Sequence, residues 1–237
     1  MYEERFYRKS ISSKFKAEVS YKESDLLVCT DKNVNQSLIK DVLRKHYKEI
    51  EAYSGKNHHF LTSLSPLKCD KQSPLIVRNM YKVSQVTGIG PFSAVAGAIA
   101  KYVGEEILNF CSEVIIENGG DIFLKINEDK LLGIYSGDEI ARNDITLRIK
   151  KRTHSFGIAS SSGVFGPSIN FGRASLVTVI ACDALYADGF ATALSNNVKK
   201  RKDIDKVLGV ARRSAAIEGV LIVFGQEIFL WGNLEIV

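Results

Sequence analysis

From Ser112 to Ser160, strand-like segments follow one another with no helical segment between them. Ser112–Glu117, Ile122–Ile126, Leu131–Tyr135, Ile145–Ile149 and Ser155–Ser160 are short runs of the kind that form strands. A doubly wound nucleotide fold would alternate strand with helix. This order therefore argues against it and for an α+β chain with a largely antiparallel sheet. The glycine signatures agree, since no GxGxxG follows the first strand and no GxxxxGK[ST] occurs anywhere.

The rest of the chain completes the mixture. Residues 1–30 read as strands, opening at Phe6, Tyr7 and Ile11 and ending on the apolar run Leu26-Leu27-Val28-Cys29. Val34, Leu38, Ile39, Val42, Leu43 and Ile50 recur at helical spacing and predict a helix over 34–53. The segment 54–80, with Gly55, Pro66 and Pro74, reads as a long irregular connection, a length that in compact domains is often functional. Gly90-Pro91 suits the start of a helix running from Phe92 to about Asn109. A glycine-rich loop is expected over Ser161–Gly172 and a strand over Leu176–Ala181. A helix capped by Asp183 follows to about Val198, another over 203–214, and a last strand pair over Gly219–Phe224 and Ile228–Trp231.

With 237 residues, 45% apolar and 25% charged, the chain can bury one substantial core or two small ones, and disorder is excluded as its main state. The net charge of +5 is spread along the sequence; its densest run, Lys199–Lys202, reads as a solvated helix end, so no nucleic-acid partner is expected. The apolar runs fall far short of a membrane span and the N-terminus has no apolar leader, so the expected location is the cytoplasm. Cys29, Cys69, Cys111 and Cys182 form no CxxC pair and read as reduced structural thiols.

Four regions could carry chemistry. Ser93–Lys101 is rich in Ala and Gly, which lets a backbone or flat ligand approach closely, and its free N–H groups could hold a phosphate. Asn118-Gly119-Gly120-Asp121 is a turn by composition, whose bare backbone could also touch a ligand. Gly157–Gly163 offers successive amides and hydroxyls suited to a pyrophosphate. In Asp183–Ser195, Asp188 and Thr192 stand four apart on one helix flank, a carboxylate and a hydroxyl of the kind Mg²⁺ accepts. His154 alone reads as structural, and His58-His59 lacks a third ligand at any useful spacing.

These regions, in this order, resemble the ApbE-like superfamily, whose best-known members are FAD:protein FMN transferases. The chain is similar to them in Gly97-Ala98-Ile99-Ala100-Lys101, in Gly119-Gly120-Asp121, in Ala159-Ser160-Ser161 with Gly163 one place late, and in Ala187-Asp188-Gly189-Phe190-Ala191-Thr192-Ala193. Gly90–Ala100, Glu117–Asp121 and Ser63-Leu64-Ser65-Pro66 resemble a cytoplasmic branch of that superfamily more closely. The resemblance implies a T-fold-like α+β architecture with two subdomains, roughly 1–110 and 111–237. It also implies an FAD site lined by Gly97, Asn118, Gly119, Gly120, Asp121, Ser160 and Ser161, and Mg²⁺ held by the carbonyl of Ala98 with Asp188 and Thr192.

The transferases' H-x-[IL]-D-P-x-T-G segment falls here on Gly166–Gly172, which has neither His nor Asp-Pro, so no flavin transfer is expected. The branch also implies an alternative, a non-catalytic accessory role in sulfur amino-acid (homocysteine) assembly with a sulfur-metabolism protein partner. A homodimer is the expected assembly, and a scaffold-only interaction module the third reading.

Overall fold

The computed structural model describes residues 8, 13–134, 145–163 and 170–237. Ten strands are present among them: β1 (Phe15–Tyr21), β2 (Ser24–Thr30), β3 (Val114–Asn118), β4 (Asp121–Lys125), β5 (Lys130–Ile134), β6 (Ile145–Ile149), β7 (Phe156–Ser161), β8 (Leu176–Ala181), β9 (Ile217–Phe224) and β10 (Glu227–Gly232). Eight join one sheet in the order β1-β2-β3-β4-β7-β8-β9-β10, while β5 and β6 form a separate hairpin. Every pairing is antiparallel, as the succession of strands predicted. β2 and β8 are buried at every residue, which explains why their sequences are continuous rather than alternating. Phe6, Tyr7, Ile11 and Tyr135 lie outside the described residues.

Six α-helices accompany the strands: α1 (Gln36–Ser54), α2 (His58–Thr62), α3 (Leu75–Thr87), α4 (Val95–Ile107), α5 (Ala184–Asn197) and α6 (Ile204–Arg213). α1 starts where Asn35 accepts the Ser37 amide at 2.8 Å, and it buries the predicted stripe of Ile39, Val42, Leu43 and Ile50. The segment 54–80 differs from expectation, since α2 lies within it and α3 begins there. Ile76, Val77, Met80, Tyr81 and Val83 form α3's buried face. Its β-branched residues are weak helix formers, and burial of that face overrides the local preference.

α1, α3 and α4 pack Leu43, Met80, Ile99 and Val103 against Val28 and Ile116 of the sheet. On the same side α5 and α6 pack Phe190, Leu194 and Leu208 against Val179 and Val220. The alternate strand positions Ile158, Ile180 and Leu221 point the other way and meet Leu147 and Ile149 of the β6 strand. The sheet is continuous across residue 110, because β2 pairs directly with β3. No single helix among the described residues is long and apolar enough to cross a membrane.

Asp31 ties the end of β2 to the turn before β3. Its Oδ2 accepts from the Ser112 hydroxyl at 2.6 Å, and its Oδ1 from the amides of Ser112 (3.0 Å) and Glu113 (2.9 Å). Burial alone would raise this carboxyl; the Ser112 hydroxyl and the two amides outweigh it and hold the group at about 2. The folded value lies below the unfolded one, so the stabilisation is complete above about pH 4 and drains away as pH falls through about 2. Asp31→Asn is expected to cost about 1 kcal/mol at neutral pH, the group being partly screened by solvent. In urea melts its deficit against the unsubstituted protein should shrink between about pH 4 and about pH 2. A deficit constant with pH would show that the charge of Asp31 plays no part.

Candidate functional site

α4 and α5 lie side by side because small residues line their contact. A Cβ on Gly97 would stand 2.4 Å from the carbonyl oxygen of Ala184 and 2.7 Å from Cβ of Asp188, so only glycine permits this approach. Two polar contacts fix the register. Asp183 caps α5 by accepting the Tyr186 amide through Oδ1 at 2.9 Å, and its Oδ2 meets Lys101 Nζ of α4 at 2.5 Å. Burial works against the Lys101 charge, but the Asp183 carboxylate more than offsets it and raises the ammonium above its ordinary value.

Asp188 lies one turn further along α5 and is only 6% exposed. Its Oδ2 accepts the Gly97 amide at 2.8 Å. That amide sits in the first turn of α4, where no acceptor exists within the helix, so Asp188 caps α4 from a distant part of the chain. Burial pushes its carboxyl up to about 7, and the Gly97 amide pulls the other way. Among the described residues no donor reaches Oδ1. Thr192 follows one turn later, half-buried, and its hydroxyl has no hydrogen-bond partner among the described residues. The hydroxyl of Thr87, by contrast, bonds back to the Val83 carbonyl of its own helix at 2.8 Å.

The turn between β3 and β4 joins the same place. Asn118 donates from Nδ2 to the Ala96 carbonyl at 3.2 Å, pinning the end of β3 to the first turn of α4. Gly119 (φ 68°) and Gly120 (φ 102°) form the two-residue turn between the paired Asn118 and Asp121, a backbone that favours glycine at both positions. The turn is held from beneath: Glu117 accepts the Gly120 amide at 3.0 Å and, with its other oxygen, Arg8 Nε at 2.6 Å. Ser160 of β7 donates its amide to the Gly120 carbonyl at 3.2 Å.

Gly97, Asn118, Gly120, Ser160 and Asp188, drawn from four separated sequence regions, are thus joined in one chain of contacts. What Asp188 meets on α4 is the amide of Gly97; Ala98 is fully buried in the next helical position. The strand expected over Ser155–Ser160 is present as β7 and reaches Ser161, so the small residues of Gly157–Gly163 that could have held a pyrophosphate lie within a paired strand as far as Ser161. There the Ser160 hydroxyl shares a hydrogen bond with Thr178 (2.9 Å), and the Ser161 hydroxyl accepts from Asn170 (2.7 Å).

Sequence reasoning gave Asn170 and Ser195 no role. Asn170 Nδ2 also donates to the fully buried Ser195 hydroxyl at 2.8 Å, and its Oδ1 accepts the Gly172 amide at 2.7 Å, anchoring the loop to α5. Their sequence separation carries no local signal. His58 and His59 are exposed in α2, and no cluster of three His, Cys, Asp or Glu suited to a metal occurs among the described residues. Residues 166–169 of the segment lacking the transferase His lie outside the described residues.

The family model described as AbpE bacteria matches residues 8–216. The chain belongs to this AbpE family. It is 32% identical to the UPF0280 protein of Methanocaldococcus jannaschii over 225 residues, which cover 93% of this chain and 91% of that protein. A UPF0280 protein of Methanosarcina barkeri is 33% identical over 215 residues, 90% of this chain and 85% of that one. Among solved structures, the flavin transferase ApbE of Vibrio cholerae superposes with a TM-score of 0.63 at 11% identity, covering 92% of this chain and 96% of that one. The apo flavinyl transferase ApbE of Pseudomonas stutzeri gives 0.64 at 14% identity, covering 94% and 96%. This AbpE-family chain therefore has the ApbE-like fold, α+β with antiparallel sheets and packed helices.

Proposed function

We propose that this chain binds a flavin nucleotide, FAD, together with Mg²⁺ beside α4 and α5, and that it does not transfer FMN to protein. The observation that carries the reading is Asp188: a buried carboxylate with one oxygen on a helix amide, the other without a donor, and an unbonded Thr192 hydroxyl one turn away. This donor set fits Mg²⁺, which binds through one or two carboxylates and completes its shell with water and ligand phosphates. When bound, the ion would supply positive charge beside those phosphates.

The chain's own residues would do the rest. Asp188 and Thr192 would hold the ion. Lys101 and Asp183 keep α4 and α5 in register. Asn118 sets the Gly119-Gly120 backbone against the first turn of α4, where a flat ligand can approach without meeting a side chain. For transfer, a group able to take a proton near neutral pH is needed within reach of the reacting oxygen. Gly166–Gly172 supplies none, and the Asn170 amide is already committed to Ser161 and Ser195.

Flavin fluorescence tests both halves. FAD should be quenched on mixing with protein and Mg²⁺ and should recover on adding EDTA; unquenched flavin at saturating Mg²⁺ would sink the binding claim. Incubation with FAD and an acceptor bearing the transferase target sequence should leave the acceptor unlabelled in a fluorescence gel, and a labelled acceptor would restore transfer as the activity.

A further inference from the structure

On the sheet face opposite the helices, a cleft of about 460 Å³ opens between the segment 148–154 and the C-terminal tail. That volume lies in the range of small-molecule sites. Its floor is apolar, made in part by Ile149 and Ile180, which are 2% and 3% exposed. Its walls carry four permanent cations, Arg148, Lys150, Lys151 and Arg152, against two carboxylates, Glu218 and Glu235. The cleft therefore holds a surplus of two positive charges, a large part of the chain's net +5. A concave, one-sided charge of this kind concentrates anions.

The two carboxylates orient the arginines without exhausting them. Glu235 accepts from Arg148 Nε at 2.9 Å, which leaves the terminal nitrogens of Arg148 for another partner. Glu218 accepts from Arg152 Nη1 at 2.5 Å. The Arg152 guanidinium is further fixed 4.0 Å from the Phe156 ring centroid, with its side chain only 16% exposed. Lys151 has no ion-pair partner among the described residues. Oriented guanidinium forks beside a free ammonium match the oxygens of a phosphate, and the apolar floor suits the remainder of a small organic molecule.

We propose that this cleft is a second anion site, separate from Asp188, which takes a small phosphorylated ligand with its phosphate held by Arg148, Lys151 and Arg152. The proposal does not depend on the flavin reading, and metal-free conditions keep the two apart. Isothermal titration of the full chain with inorganic pyrophosphate in EDTA should show saturable binding that weakens as salt is added. Arg152→Ala should lower the association constant at least tenfold. The double variant Lys150→Glu/Lys151→Glu should do the same; both side chains are exposed, so it decides the matter if Arg152→Ala does not fold. Asp188→Asn should leave pyrophosphate binding unchanged. No saturable binding, binding that survives the lysine variant, or binding lost in Asp188→Asn would each overturn the proposal.

Discussion

Gly157→Val is expected to lower the midpoint of thermal unfolding by about 10 °C, corresponding to about 3 kcal/mol in a domain of this size. A Cβ at this position would stand 2.2 Å from both the amide nitrogen and Cα of Ala184, and 2.3 Å from the carbonyl carbon of Asp183. All three are main-chain atoms at the start of α5, so no side-chain rotation relieves the overlap. Either α5 lifts off the sheet or β7 leaves its places beside β4 and β8. Lifting α5 would also strain the Asp183 cap and its pair with Lys101. Gly157→Ala should show the same sign with a smaller fall. Scanning calorimetry decides the matter, and a midpoint within a degree of the unsubstituted protein would mean that α5 does not rest on β7 as described.

That contact shows what the sequence could and could not disclose. The run Gly157–Ser161 reads equally well as a phosphate cradle or as a strand beneath a helix, because both demand small residues and differ only in what lies above them. The Gly119-Gly120 turn was legible from its composition, since few residues other than glycine accept positive φ at successive positions. The family resemblance, by implying an ion shared by Ala98 and Asp188, required their two helices to meet, and Gly97 does lie against Ala184. The group facing Asp188 was not legible. Pro91 marks a helix start, but Pro91–Ala94 form a single 3₁₀ turn first and the Val95 amide bonds back to the Phe92 carbonyl, so the amide that Asp188 meets is that of Gly97, in the first turn of the α-helix proper. Asn170 and Ser195 were illegible for another reason: they are 25 residues apart and meet only because the loop folds back on α5.

Asp188→Asn should separate ligand binding from stability. Burial opposes the charge of Asp188 and raises its carboxyl to about 7, so ionising it in the folded protein carries a cost that a neutral amide does not. The amide oxygen of asparagine can still accept the Gly97 N–H, preserving the cap on α4. The metal-free variant should therefore melt at or slightly above the temperature of the unsubstituted protein at pH 8. Its affinity for FAD in the presence of Mg²⁺ should fall about 100-fold, or about 2.7 kcal/mol, because the one carboxylate assigned to the ion is gone. No cluster of other metal-binding side chains stands among the described residues to replace it. Unchanged affinity would remove Asp188 from the metal site, whereas a stability loss of several kcal/mol without ligand would make it a structural cap alone. The two measurements are informative together because the same carboxylate is held by a helix amide on one oxygen and left without a donor on the other. An ion on the second oxygen would leave the helix cap on the first intact, so loss of the ligand and loss of the fold are separable outcomes.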